Sequence, residues 1–193
     1  MSKSSKLFKT PRSRARGFVL QGVYQSLLTE HDLPSIESYL MTEVSGFELC
    51  DTELFQELLR GTFTHRAQLE ALVSPYLDRP LDQVSPIERS VLLMGTYELQ
   101  YSLNVPAAVV INESINLIKI FGSEDGFRFI NGVLDKLLPQ LRPNEPSYPK
   151  QIDNLSENEV EQASEDEQAA FDAEITNLNI KPKTAKNQTA NDS

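Results

Sequence analysis

Residues 85–101 read SPIERSVLLMGTYELQY, and this stretch decides the fold. Ser85 is a capping residue, Pro86 stands at the first helical position and Glu88 follows Ser85 by three, so a helix starts here. It is then apolar almost all round, through Ile87, Val91, Leu92, Leu93, Met94 and Leu99. A helix without a continuous polar face belongs in the middle of a molecule, with other helices packed about it.

The same helical spacing recurs on both sides. Upstream, Val19, Val23 and Leu27 form a stripe in a helix from about Pro11 to Glu30, and Pro34 with Ser35 opens a short helix through Ile36, Tyr39 and Leu40. Asp51 or Thr52 caps a long third helix, whose Phe55, Leu58, Leu59, Thr62, Phe63 and Arg66 carry the pattern to Val73. Ser74 and Pro75 break it, and a short turn with Tyr76 and Leu77 follows. Downstream, Pro106 opens a helix with Val110, Ile111, Ser114, Ile115, Leu117, Ile118 and Phe121 on one broad arc. Gly122 and Ser123 then separate it from a last helix, with Glu124 and Asp125 in the new first turn. Phe127, Ile130, Leu134, Leu137, Leu138 and Leu141 form the buried stripe of that helix. No alternating run with a hairpin turn reads as a strand. The fold class is all-α.

The chain has 193 residues and a net charge of −10, unevenly spread. Residues 1–16 hold Lys3, Lys6, Lys9, Arg12, Arg14 and Arg16 and no acid; residues 17–143 and 144–193 carry −9 and −7. An acidic protein with a basic arm is a poor general polyanion binder and a plausible local one. No apolar run reaches the 18 residues of a membrane span, and the segment after the basic arm lacks a secretory h-region, so a soluble cytoplasmic protein is expected. Three parts are expected: a flexible basic arm at 1–10, a helical domain at 11–143, and an acidic tail at 144–193 with a composition that favours disorder. One expectation for the tail is that it folds back on the arm; the plainer one is that it only solubilises.

Two features call for a functional reading. The arginines of KLFKTPRSRAR lie at the start of helix one, where the helix dipole disfavours cations. Arginine binds phosphates bidentately and stacks on bases, which suits nucleic acid; a solvated tail is the alternative. Phe129 falls about 120° from the middle of its helix's stripe, on a face shared with Asp125, Gly132 and Lys136. A ring placed there is either a partner-helix contact or a stacking platform for an unpaired base. Asp125 is either a base acceptor or simply a first-turn acid, and Gly132 leaves room for close approach. Catalytic candidates are weak. Glu98 in the apolar helix is better read as paired with an arginine or a backbone donor, and the lone Cys50 lacks a basic neighbour. His31 and His65 stand apart, and no zinc, triad or phosphate-loop spacing occurs, so no enzyme, metal or cofactor is expected.

RSRARGFVLQGVYQ, SPIERSVLLMGTYEL, VPAAVVINESINLIKIFG and FGSEDGFRFINGVLDKLLP, in this order over about residues 10–143, resemble the NusB family of bacterial transcription antitermination factors. The resemblance implies two perpendicular three-helix bundles and a non-enzymatic role: binding boxA RNA with the ribosomal protein that doubles as NusE, so that RNA polymerase reads through terminators in ribosomal RNA operons. It implies RNA contacts for the arm (Lys9, Arg12, Arg14 and Arg16) and for Tyr76, Asp125 and Phe129, and NusE contacts for Tyr24 and Glu88. The free protein would be a monomer or a homodimer. Ser13 interrupts the arginine run and Gly17 stands where many members carry Glu; both are expected to loosen the arm. The alternatives are a helical adaptor that does not bind RNA, and the accessory module of a ribosomal RNA methyltransferase.

Overall fold

The computed structural model describes residue 8 and residues 10–123 and 125–145. The described residues form seven α-helices and no strand: α1 (Pro11–Leu28), α2 (Leu33–Thr42), α3 (Thr52–Thr64), α4 (Arg66–Val73), α5 (Pro86–Tyr101), α6 (Ala107–Phe121) and α7 (Gly126–Leu141). Lys9 and residues 146–193, and with them nearly all of the expected tail, lie outside the described residues.

The helices sort into two bundles of three. Helix α1 packs on α2 and α3, while α5, α6 and α7 pack on one another; α5 joins the two groups by touching α1 and α3 as well. Its side chains explain this. Val91, Leu92, Leu93 and Leu99 are fully buried, and so are Ser90 and Thr96 on its other faces. Burying each of these leucines is worth about 1.5–3 kcal/mol, and one contiguous core runs from Ala15 to Leu137. The helix starts as its sequence dictates, with the Glu88 backbone N–H donating to Ser85 Oγ at 3.2 Å.

Three expectations are corrected. The long third helix is two helices, because the chain turns at His65 (φ −100°, ψ 9°). There the imidazole Nδ1 and the backbone N–H of His65 both reach the Gly61 carbonyl at 3.0 Å. The His65 ring is held by Tyr97 and Tyr101 of α5, at centroid distances of 5.7 and 4.6 Å. Gly61 permits this approach: a Cβ there would lie 1.9 Å from the Tyr97 ring.

The second correction concerns α7, which begins at Gly126 with Asp125 as its N-cap. Ser123 does not cap it; the Ser123 hydroxyl donates to Glu88 Oε1 at 3.1 Å. The buried stripe is centred on Ile130, Val133, Leu134 and Leu137. Phe127 is at its rim, with the Lys119 ammonium and Arg128 guanidinium 5.5 and 5.3 Å from its ring centroid.

Third, the packed domain extends to Glu145. Arg142 is buried at the end of α5 and donates to the carbonyls of Leu99 (2.5 Å), Val105 (2.7 Å), Glu98 (3.1 Å) and Ser102 (3.2 Å). These include the Leu99 carbonyl in the last turn of α5, which has no partner within its own helix. Glu145 accepts from Arg142 Nη1 at 2.9 Å and from the first backbone N–H of α6, at Ala107, at 2.6 Å. One short segment thus closes the end of α5 and the start of α6.

Candidate nucleic-acid interface

Helix α7 lays out the first half of the site. Asp125, Phe129, Lys136 and Gln140 recur at spacings of four, seven and four along one face, a stripe about 22 Å long at 1.5 Å per residue. Tyr76, in the turn of 3-10 helix Ser74–Tyr76, donates its hydroxyl to Gln140 Oε1 at 2.9 Å. The structure therefore brings Tyr76, Phe129 and Asp125 onto one surface. A Cβ built on Gly132 meets nothing within 4 Å, so the stripe is open along its middle. Asp125 is 85% exposed and pairs with Arg128 at 3.0 Å.

Phe129 is half-buried against the core, and one of its neighbours was not anticipated. The Arg79 guanidinium lies over its ring, 4.6 Å from the centroid. Such a contact is worth about 0.5–1 kcal/mol at an exposed site. Arg79 is also 3.6 Å from Glu88 Oε2 and 3.4 Å from Asp78 Oδ1. Glu88 is buried, and its carboxylate does not turn back on its own helix start as a reciprocal capping box would require. It faces Ser123, Arg79 and the first turn of α7, where an acid is favoured by the helix N-terminus. Glu88 thus joins the Phe129 surface, while Tyr24 is half-buried on α1 against the core. Nothing in the local sequence links Arg79 to Phe129, fifty residues away; only the tertiary fold does.

The second half is the start of α1. Thr10 caps it through Ser13 N at 3.0 Å. The three arginines sort into different places. Arg12 is 51% exposed and lies 3.7 Å from Asp51. Arg14 is largely covered, with Nη2 at 3.4 Å from the Phe8 carbonyl. Arg16 is only 4% exposed, pairs bidentately with Glu98 on α5 and lies 3.7 Å from Glu113 on α6. Burial disfavours its charge, but the Glu98 hydrogen bonds and the fields of Glu98, Glu113 and Asp51 outweigh that and raise its pKa further above the ordinary arginine range. Arg16, expected in the RNA-binding arm, is thus a buried ion-pair partner; the helix-start dipole is overridden by two carboxylates. Glu98 has the arginine partner its sequence position suggested.

The space beside Gly17 is occupied. The residue leaves a slot that the Phe8 ring fills: a Cβ on Gly17 would come within 2.6 Å of that ring. Phe8 also stacks on Phe121, the last residue of α6, at 6.4 Å. Ser123 follows two residues later, so the arm and the α7 stripe approach the same turn between α6 and α7.

Burial pushes the Cys50 thiol up, away from the reactive thiolate. Among the described residues no cluster of three or more His, Cys, Asp or Glu side chains is placed to hold a metal ion, and no helix is long and apolar enough to cross a membrane.

Two three-helix bundles, with their distinctive side chains along a surface and a helix start instead of in a cleft, define an all-helical binding scaffold. Its lineage is plain from comparison: the profile described as the NusB family matches residues 13–139, and the chain belongs to that family. It is 48% identical over 139 residues to the transcription antitermination protein NusB of Aromatoleum aromaticum, covering 72% of this chain and 95% of that one. It is 44% identical over 137 residues to the NusB of Cupriavidus pinatubonensis, covering 71% and 81%. Among solved structures it resembles T. maritima NusB, with a TM-score of 0.59, 29% identity and coverage of 68% and 92%. It shares its fold with a chain from the crystal structure of antitermination factors NusB and NusE in complex with dsRNA, with a TM-score of 0.61, 20% identity and coverage of 67% and 97%. Phe8, Arg142 and Glu145 lie outside the stretch the family profile matches.

Proposed function

We propose that this protein is a cytoplasmic transcription antitermination factor that binds boxA RNA together with the ribosomal protein acting as NusE, and so supports read-through transcription of ribosomal RNA operons. The observation that carries the reading is the α7 stripe. It is an open surface with an aromatic ring, a cation on that ring, a flanking tyrosine and an exposed carboxylate, the parts that stack and hydrogen-bond unpaired bases. The RNA-contacting side chains are Tyr76, Asp125 and Phe129, joined from the α1 start by Lys9, Arg12 and Arg14. Arg16 serves the fold. Tyr24 and Glu88 are assigned to the NusE contact.

The names of the relatives support this reading, as does the shared fold with a NusB solved with NusE and RNA. The methyltransferase alternative loses ground, since the Aromatoleum relative is matched over 95% of its length, which leaves no room in it for a catalytic domain. The test is the anisotropy of a labelled boxA RNA titrated with the full chain, with and without NusE, at two salt concentrations. The expected result is binding that NusE strengthens, that salt weakens through counterion release, and that a scrambled RNA does not reproduce. Equal binding of boxA and scrambled RNA, or none in any condition, sinks the proposal.

A further inference from the structure

We infer that Arg79 is an RNA-contacting residue that shares a stacking platform with Phe129, its guanidinium forming the outer layer on which an unpaired base of the RNA stacks. The inference rests on the RNA-binding reading and adds a residue that neither the sequence motifs nor the family resemblance assigned.

The described arginines differ in how tightly their charges are held. Arg142 and Arg60 have hydrogen bonds of 3.0 Å or less to carbonyl or carboxylate oxygens, as do Arg66 and Arg89 on Glu70. Arg16 is clamped on Glu98. These are the distances of charge-assisted bonds, and they close the guanidinium to other ligands. Arg79, like Arg12 and Arg14 at the start of α1, is held more loosely: its carboxylate neighbours stand at 3.4 and 3.6 Å, and its side chain is 38% exposed. They orient the group without saturating its five donors.

The place where it is held matters as much. A guanidinium is planar, with two faces available for stacking. The guanidinium carbon of Arg79 lies over the Phe129 ring at 4.6 Å and the side chain is 38% exposed; in the proposed complex the base stacks on the solvent side of the group. The N–H edge remains for the phosphate or sugar beside that base. Phe129 supplies the apolar backing, Glu88 the anchor from α5, and the open α7 surface at Gly132 the approach.

The test uses the full chain with NusE and labelled boxA RNA, comparing Arg79→Ala, Arg79→Lys, Phe129→Ala and the double alanine variant, with thermal melts alongside. Arg79→Ala is expected to weaken binding about tenfold and to lower the slope of log K against log salt by about 0.7–1, with the melt nearly unchanged. Arg79→Lys keeps the slope but recovers only part of the affinity, because the ammonium has no flat face. The double variant loses less than the product of the two single losses, because both groups serve one base. Unchanged or tighter binding by Arg79→Ala overturns the inference; so do strictly multiplicative losses, which would make Arg79 a separate phosphate contact. If the unaltered protein binds no RNA, the functional proposal fails and this inference with it. Weakening by Phe129→Ala alone leaves the proposal standing and removes Arg79 from it.

Discussion

Arg12 and Arg16 are four residues apart on one helix, carry the same charge and have opposite fates. Replacing Arg16 by Ala strands the Glu98 carboxylate, 2% exposed in the core, and is expected to cost about 3–5 kcal/mol of stability. Arg12→Ala is expected to leave the melting temperature within a degree or two and to lower RNA affinity and its salt slope. Urea unfolding and RNA titration of both variants separate these effects. A run of basic residues in a sequence cannot show which member is buried, since its partners, Glu98 and Glu113, are far away in the chain. Only the oddity of Glu98 in an apolar helix hinted at the pair. Gly17 has a neighbour the local sequence does not show. Read alone it is flexible; in the fold it is a slot for Phe8. Gly17→Ala is therefore expected to stabilise a Phe8→Ala protein by about 1 kcal/mol, the helix propensity difference, and to give less in the presence of Phe8. A denaturation cycle over the four proteins measures that coupling; additive effects would mean that the ring does not sit there in solution.

At the scale of elements, the helices with strong periodicity and caps were legible: α1, α2, α3, α5 and α6 start within a residue or two of where Pro, Ser and Asp place them. What stayed hidden were events decided by side chains from elsewhere. The stop at His65 depends on two tyrosines of α5, and the late start of α7 on Ser123 turning to Glu88. The cap on α5 comes from Arg142, which lies beyond α7 and has no periodicity to announce it. Arg142→Ala is expected to leave the Leu99 and Val105 carbonyls without their donor and to lower the melting temperature by roughly 10 °C, followed by circular dichroism; a chain ending at residue 141 melts below one ending at 145. Glu70 links α4 to α5 by accepting from Arg66 at 3.0 Å and Arg89 at 2.7 Å. Burial alone would raise its pKa, but the two arginines prevail and hold it below its ordinary 4.5. The carboxylate's contribution is therefore complete above about pH 5 and is lost as pH falls through the depressed folded value. Glu70→Gln is expected to destabilise by about 1–2 kcal/mol at pH 7, with the difference from the unaltered protein shrinking toward pH 3.

At the scale of the whole molecule, the opening helix of the sequence analysis holds the plan together. Helix α5 contributes Glu88 to the proposed ligand surface, Glu98 to the start of α1, Tyr97 and Tyr101 to the α3–α4 turn, and its last carbonyls to Arg142. On the proposed surface, Phe129 stood out because it broke a pattern and Asp125 because it shares that face, while Tyr76 came from the family resemblance. Arg79 did neither, having no periodicity to violate.

The Arg16–Glu98 pair has a further consequence, for how such a sequence can drift. Its members are 82 positions apart, yet loss of Arg16 leaves the Glu98 carboxylate bare in the core, and loss of Glu98 leaves Arg16 only the more distant Glu113. A joint replacement by two apolar residues of similar volume would be neutral or stabilising, but each single step toward it passes through a damaged protein. The two codons are thus locked to one another, and one substitution erodes the arm's neighbourhood only when a second, far down the gene, has made it safe.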